Sequence, residues 1–146
     1  MRALFGPAPP WPPEFAPGER VLFEGSFDPA AWAKEAAFWF VLLVALLSLL
    51  PSLMGAPDVA VPLLPFVGAC AVAAGLLFLV HRDRDWVMTD RALYITGVRP
   101  IEKARIRRFG GWGATITVIT GHGTNRRLLG VQGATMLRHA MNGALI

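Results

Sequence analysis

Ala36-Ala37-Phe38-Trp39-Phe40-Val41-Leu42-Leu43-Val44-Ala45-Leu46-Leu47-Ser48-Leu49-Leu50-Pro51-Ser52-Leu53-Met54 contains no charged residue, and neither does the run from Val59 to Val80. Each run approaches the roughly 20 residues that a helix needs to cross a hydrocarbon layer about 30 Å thick. Asp28 is a good helix N-cap, and Pro29 suits the first helical position, where a missing N–H costs nothing. The first span is therefore expected over about 29–54, with Trp32, Lys34, Glu35 and Trp39 in its entering turns near lipid headgroups. Gly55-Ala56-Pro57-Asp58 reads as a tight link, which makes the two spans antiparallel. The second is expected over about 59–80, its ordered helix starting between Asp58 and Pro62 and open to a kink at Pro65. The competing reading is a buried helical pair in a soluble fold, but the rest of a 146-residue chain offers little to bury it.

Composition points the same way. The chain is 54% hydrophobic and only 16% charged, against about 25% charged in ordinary globular domains. A single cysteine, Cys70, excludes an internal disulfide framework. Residues 1–58 hold three basic and six acidic residues, while residues 81–146 hold eleven basic and four acidic. The link is acidic and His81-Arg82-Asp83-Arg84 follows the second span, so the positive-inside rule puts both termini in the cytoplasm of a multi-pass protein. Pro7, Pro9, Pro10, Pro12 and Pro13 interrupt any signal-peptide core, so residues 1–28 read as a proline-rich tail and an edge strand.

Beyond Asp85 the periodicity shortens. Trp86–Thr89 and Leu93–Thr96 are β-favouring runs around a Thr89-Asp90-Arg91 turn, with Gly97 as a stop. Ile101–Phe109 is ambiguous between strand and helix, and strand is preferred. Thr115–Thr120 is the clearest strand, β-branched at every position. It pairs with Arg126–Val131 across Gly121–Asn125. An amphipathic helix from about Ala134 ends the chain, with Leu137, Ala140, Met141 and Ala144 along its apolar stripe.

Pro17-Gly18-Glu19-Arg20-Val21-Leu22-Phe23, Met88-Thr89-Asp90-Arg91-Ala92-Leu93-Tyr94-Ile95-Thr96-Gly97 and the strand at Ile101–Ile106 resemble the motifs of the bacterial pleckstrin-homology-like family of membrane-anchored proteins. The likeness covers about residues 17–146. It implies an α+β membrane protein: a transmembrane hairpin at 29–80, followed by a small PH-like antiparallel β-domain with a C-terminal helix at 81–146. Glu19–Gly25 then has to return as an edge strand from the other side of the hairpin. The motifs are structural and imply no activity, because this fold hosts binding and scaffolding.

Chemistry is sparse. His81, His122 and His139 lack partners at metal-ligand spacing, Cys70 sits mid-span as a small apolar residue, and Gly110–Gly113 and Gly121–Gly123 lack the context of a phosphate loop. No catalytic, metal or cofactor site is expected, and the chain reads as a non-enzyme. The basic residues are the best lead: Arg82 and Arg84 at the membrane surface, and Lys103, Arg105 and Arg107 on one strand face with Arg108 opposite. They either bind lipid headgroups or an acidic partner, or merely set topology and solubility. Nucleic acid is not expected, since no recognition element accompanies the charge. In the second span, Gly68, Ala69, Ala71, Ala73 and Gly75 are small, and Ala69/Ala73 and Ala71/Gly75 form small-xxx-small pairs for close packing on the first span or on a partner. Two functions follow as expectations. The first is a non-catalytic accessory subunit or assembly factor of a larger respiratory or photosynthetic complex in a bacterial inner membrane. The second is an anionic-lipid-binding PH-like module.

Overall fold

The computed structural model describes residues 10–56, 63–121, 123 and 125–146. A short strand, β1 (Val21–Ser26), leads into helix α1 (Pro29–Leu53), and helix α2 (Leu63–His81) returns to six further strands. These are β2 (Asp85–Thr89), β3 (Ala92–Ile95), β4 (Val98–Glu102), β5 (Ile106–Gly110), β6 (Ile116–Thr120) and β7 (Arg126–Leu128), and helix α3 (Ala134–Gly143) closes the chain. The layout is α+β: two long apolar helices, two small antiparallel sheets and a C-terminal helix. The start expected for the second helix, between Asp58 and Pro62, lies outside the described residues, as do Pro57, His122 and Thr124.

Asp28 caps α1 as its side chain suggests, with Oδ1 accepting from the N–H groups of Ala30 at 2.8 Å and Ala31 at 3.3 Å. At the far end Gly55 takes φ +73°. The Gly55 N–H bonds the Ser52 carbonyl and the Ala56 N–H reaches Pro51, which is a Schellman stop. Neither helix has a buried residue. They touch along one narrow face, half-buried at Trp32, Ala36, Val44 and Leu47 on α1 and at Val67, Cys70, Ala74 and Phe78 on α2. Among the described residues nothing buries the rest of their apolar surface, with Val41 65% and Leu64 83% exposed.

The strands form sheets in the orders β1-β2-β3-β4 and β5-β6-β7, all neighbours antiparallel. Glu19–Gly25 does return as an edge strand, shifted to Val21–Ser26, and pairs Gly25 with Trp86. Alternation sends Trp86 and Met88, Leu93 and Ile95, and Ile116 and Val118 inward, so the sheets share one core closed by Val131, Ala134 and Met141. The strand preference for Ile101–Phe109 holds only in two pieces. A 3₁₀ turn at Lys103–Arg105 ends β4 and starts β5, moving the chain from one sheet to the other. Pro100 lies in β4, an edge strand, where the loss of one N–H is tolerated. The outer edge of β5 is covered by the Asn142 amide, which accepts from the Phe109 N–H at 2.8 Å and donates to its carbonyl at 2.9 Å.

The Pro-Gly-Glu and Thr-Asp-Arg motifs meet in space. Thr89 is fully buried; its hydroxyl donates to Glu19 and accepts from the N–H groups of Arg91 and Ala92. Tyr94 donates to the same carboxylate at 3.1 Å, and the Ala16 N–H does so at 2.8 Å. Burial by itself would raise the Glu19 pKa. The hydrogen bonds from Thr89, Ala16 and Tyr94, with the charge of Arg91, outweigh it and leave the group below its ordinary value. The same contact raises Tyr94, through burial and then through its bond to Glu19 and that group's charge.

A carboxylate with a lowered folded pKa stabilises the fold fully above its ordinary value of 4.5, and the contribution is lost as pH falls through the folded value. Glu19→Gln is therefore expected to lower the thermal midpoint at neutral pH and to flatten its decline on the acid side. An unchanged profile measured by circular dichroism from pH 7 down to acid would contradict the Glu19 contact.

Candidate functional site

The features that place the β-domain lie where α1 enters it. The Asp28 N–H bonds the Gly130 carbonyl at 2.7 Å, and the Phe27 N–H bonds that of Arg84 at 3.1 Å. Gly130 has φ +62°, and a Cβ there would lie 2.8 Å from both the Asp28 carbonyl oxygen and the Phe27 ring. Two turns further along α1, Glu35 accepts from the Ala114 N–H at 3.0 Å and meets the Thr115 hydroxyl at 3.2 Å with both oxygens. Arg138 of α3 donates to the Thr115 carbonyl at 2.9 Å, so one loop is held by a helix on each side. Gly113 lies so close to Glu35 that a Cβ would sit 2.9 Å from its oxygen.

Two groups of rings line this joint. Phe27, Trp32 and Phe78 pack together, with Trp32 and Phe78 centroids 5.5 Å apart. Trp112, at the tip of the β5–β6 loop, sits 5.7 Å from Phe38 and 5.2 Å from Trp39. A cleft of about 630 Å³ separates α1 from the start of α3, with Lys34, Phe38, Trp112 and Met136 in its walls. A second groove of about 530 Å³ runs between α1 and α2 beneath Glu35 and Thr115, walled by Trp39, Phe40, Cys70 and Ala74.

The basic residues do not form one face. Asp85 follows α2 and Ser26 precedes α1, so those strand ends lie beside the helices, whereas Thr89 and the β3–β4 partner Glu102 lie at the other end. A five-residue strand rises on the order of 16 Å. Arg82 and Arg84 are therefore close to the helices, while Lys103 and Arg105 occupy the remote corner, where the Lys103 N–H bonds the Arg91 carbonyl. The expected alternation of Lys103, Arg105 and Arg107 against Arg108 fails for two reasons. The first two belong to the 3₁₀ turn, and a bulge in β5 between Ile106 and Arg108 turns Arg107 and Arg108 both outward. Arg82 pairs with Asp83 and Arg105 with Glu102, both in the open. Arg84 is half-buried; burial first, and then the charge of Arg126, lower its pKa, though a guanidinium stays protonated.

The small residues of α2 also divide differently from the expectation. Gly68, Ala69, Ala71, Ala73 and Gly75 are all exposed, and a Cβ at Gly68 or Gly75 would meet nothing within 4 Å. They do not pack on α1; only Ala71 and Ala73 reach its neighbourhood, at the rim of the interhelical groove. Cys70 lies on the contacting face instead. Among the described residues no group of three His, Cys, Asp or Glu side chains could hold a metal ion.

Sequence reasoning placed Glu35 and Trp112 in the entering helix and a turn, without a link between them. The available signal was a tryptophan set between glycines in a turn, facing the last carboxylate before the uncharged run. Comparison with protein-family models, curated proteins and solved structures returns no match to the chain.

Gly130→Ala forces a β-carbon against the Asp28 carbonyl at a left-handed backbone position and is expected to cost about 1–3 kcal/mol. Gly68→Ala, in open space within a helix, is expected to be neutral or to stabilise by up to about 1 kcal/mol. Thermal midpoints of the two variants in the same detergent check the contrast, and equal midpoints would refute the joint described here.

Proposed function

We propose that this chain is a non-catalytic accessory or assembly subunit, anchored in a bacterial inner membrane by its α1–α2 hairpin and holding a PH-like β-domain at the cytoplasmic surface for a larger complex. The observation that carries the reading is the hairpin itself. Two helices, long and apolar enough to cross a membrane, leave most of their surface uncovered, and water is a poor solvent for such a surface. Lipid or another protein's helices must supply the cover. The exposed Gly68, Ala69, Ala71, Ala73 and Gly75 favour a helix partner there, because small side chains let backbones approach and α1 does not use them.

The β-domain is tied to the hairpin by Asp28, Glu35 and Gly130, so a partner that grips the helices also receives the domain in a set orientation. Four strands, three strands and a closing helix agree with the architecture that the sequence motifs imply, which supports the PH-like reading. The inner-membrane assignment and the cytoplasmic termini rest on the charge pattern, with Arg82 and Arg84 directly after α2.

Anionic-lipid binding by the basic residues is the second reading. It is favoured only at the helix end, where Arg84 and Arg126 lie within charge–charge reach and no ion pair is formed with either among the described residues. Lys103 and Arg105 are too far from that end to serve the same leaflet.

Extraction in a mild detergent, followed by a native gel and mass spectrometry, is expected to show the chain co-migrating with larger membrane proteins. Leucine at Gly68 and Gly75 is expected to weaken that association without loss of the chain from the membrane. Migration solely as a free monomer or homo-oligomer would contradict the proposal.

A further inference from the structure

The two helices differ in length, and the difference fixes a level. At about 1.5 Å per residue α1 is roughly 37 Å long, more than a hydrocarbon layer of about 30 Å requires. Counting back from Leu53, twenty residues reach Lys34, so the hydrocarbon boundary crosses α1 near Lys34 and Glu35, the last charges before the uncharged run. Phe78 of α2 stacks beside Trp32, which puts the end of α2 outside that boundary together with the start of α1. The ring of Trp112, against Phe38 and Trp39, falls about one helical turn inside it. The joint between hairpin and β-domain is therefore deeper than the helix ends suggest.

The loop that carries Trp112 is built for such a place. The Ala114 N–H is taken by Glu35 and the Thr115 N–H by the Trp112 carbonyl at 3.1 Å, so two of the loop's backbone donors are satisfied without water. Gly111 and Gly113 have positive φ and are crowded by the Thr115 carbonyl and by Glu35; side chains at either position would push the turn open. What the loop presents outward is a tryptophan 59% exposed, beside two rings on α1 that are each about half exposed. An apolar ring with one N–H donor suits the boundary between lipid chains and headgroups. Lys34, in the adjoining cleft, has the long stem needed to reach the headgroups above.

We propose that the β5–β6 loop is a membrane-contact loop: Trp112 rests in the lipid interface with Phe38 and Trp39, and the β-domain is seated on the bilayer instead of standing off it as a free head. The inference rests on the reading of α1 and α2 as membrane spans. It concerns a part of the chain that the reading leaves in water, and its ligand is the bilayer itself. A protein partner covering Trp112 is the competing occupant.

The test uses the unaltered full chain reconstituted in phosphatidylcholine–phosphatidylglycerol vesicles doped with a lipid whose acyl chain carries a diazirine close to its ester. After irradiation, adducts are located by peptide mass spectrometry. Adducts are expected in α1 and α2 and, several-fold above the level at Glu102–Arg105, within Gly110–Ala114. Labelled helices with a loop no more modified than Glu102–Arg105 would overturn the membrane-contact loop and leave the spans standing. Unlabelled helices would overturn the spans, and this inference with them.

Discussion

Two helices carry apolar surface on almost every side, and among the described residues little covers it. That constraint organises the molecule. The 66 residues after Val80 make only enough sheet and helix to bury their own core, from Trp86 to Met141. None of that core reaches over the helices, and the helices offer each other one narrow strip. Apolar area removed from water is worth roughly 25 cal/mol per Å², so an uncovered hairpin of this size would not persist as a solvated element. Lipid or a partner's helices are the cover that the proposed function assigns to it.

The second organising feature is the way charge and glycine secure the joint. Glu35 is the last charge on α1 before the uncharged run, and it is satisfied by a backbone N–H and a hydroxyl from the β-domain instead of by a cation. Gly113 and Gly130 exist where side chains would strike Glu35 and Asp28. Both contacts join residues about 80 to 100 positions apart in the chain. They convert a flexible head on a tether into a domain with a defined pose, and this gives the proposed partner or bilayer a fixed surface to meet.

Local chemistry made much of this legible. Uncharged runs marked the helices, Asp28-Pro29 marked the start of α1, and β-branching marked β6. The edge role of Val21–Ser26 followed from the Pro-Gly-Glu motif, whose glutamate proves to hold the buried Thr89 hydroxyl. The failures share one cause. Lys103-Ala104-Arg105 carries no glycine or proline to announce a 3₁₀ turn, so strand periodicity predicts a face shared by Lys103, Arg105 and Arg107 that the turn breaks. The bulge beside Arg107 is likewise a property of pairing with β6. The small residues of α2 were visible, but which side they take depends on how α1 packs against α2, where Trp32, Phe78 and Phe27 meet at the joint.

The central claim is that the hairpin is integrated in a lipid bilayer. Membranes from cells expressing the full chain, washed in alkaline carbonate and recovered by flotation, test it most directly. The account predicts that the chain floats with the lipid after the wash. A chain left in the carbonate supernatant, folded and free of lipid, would contradict it.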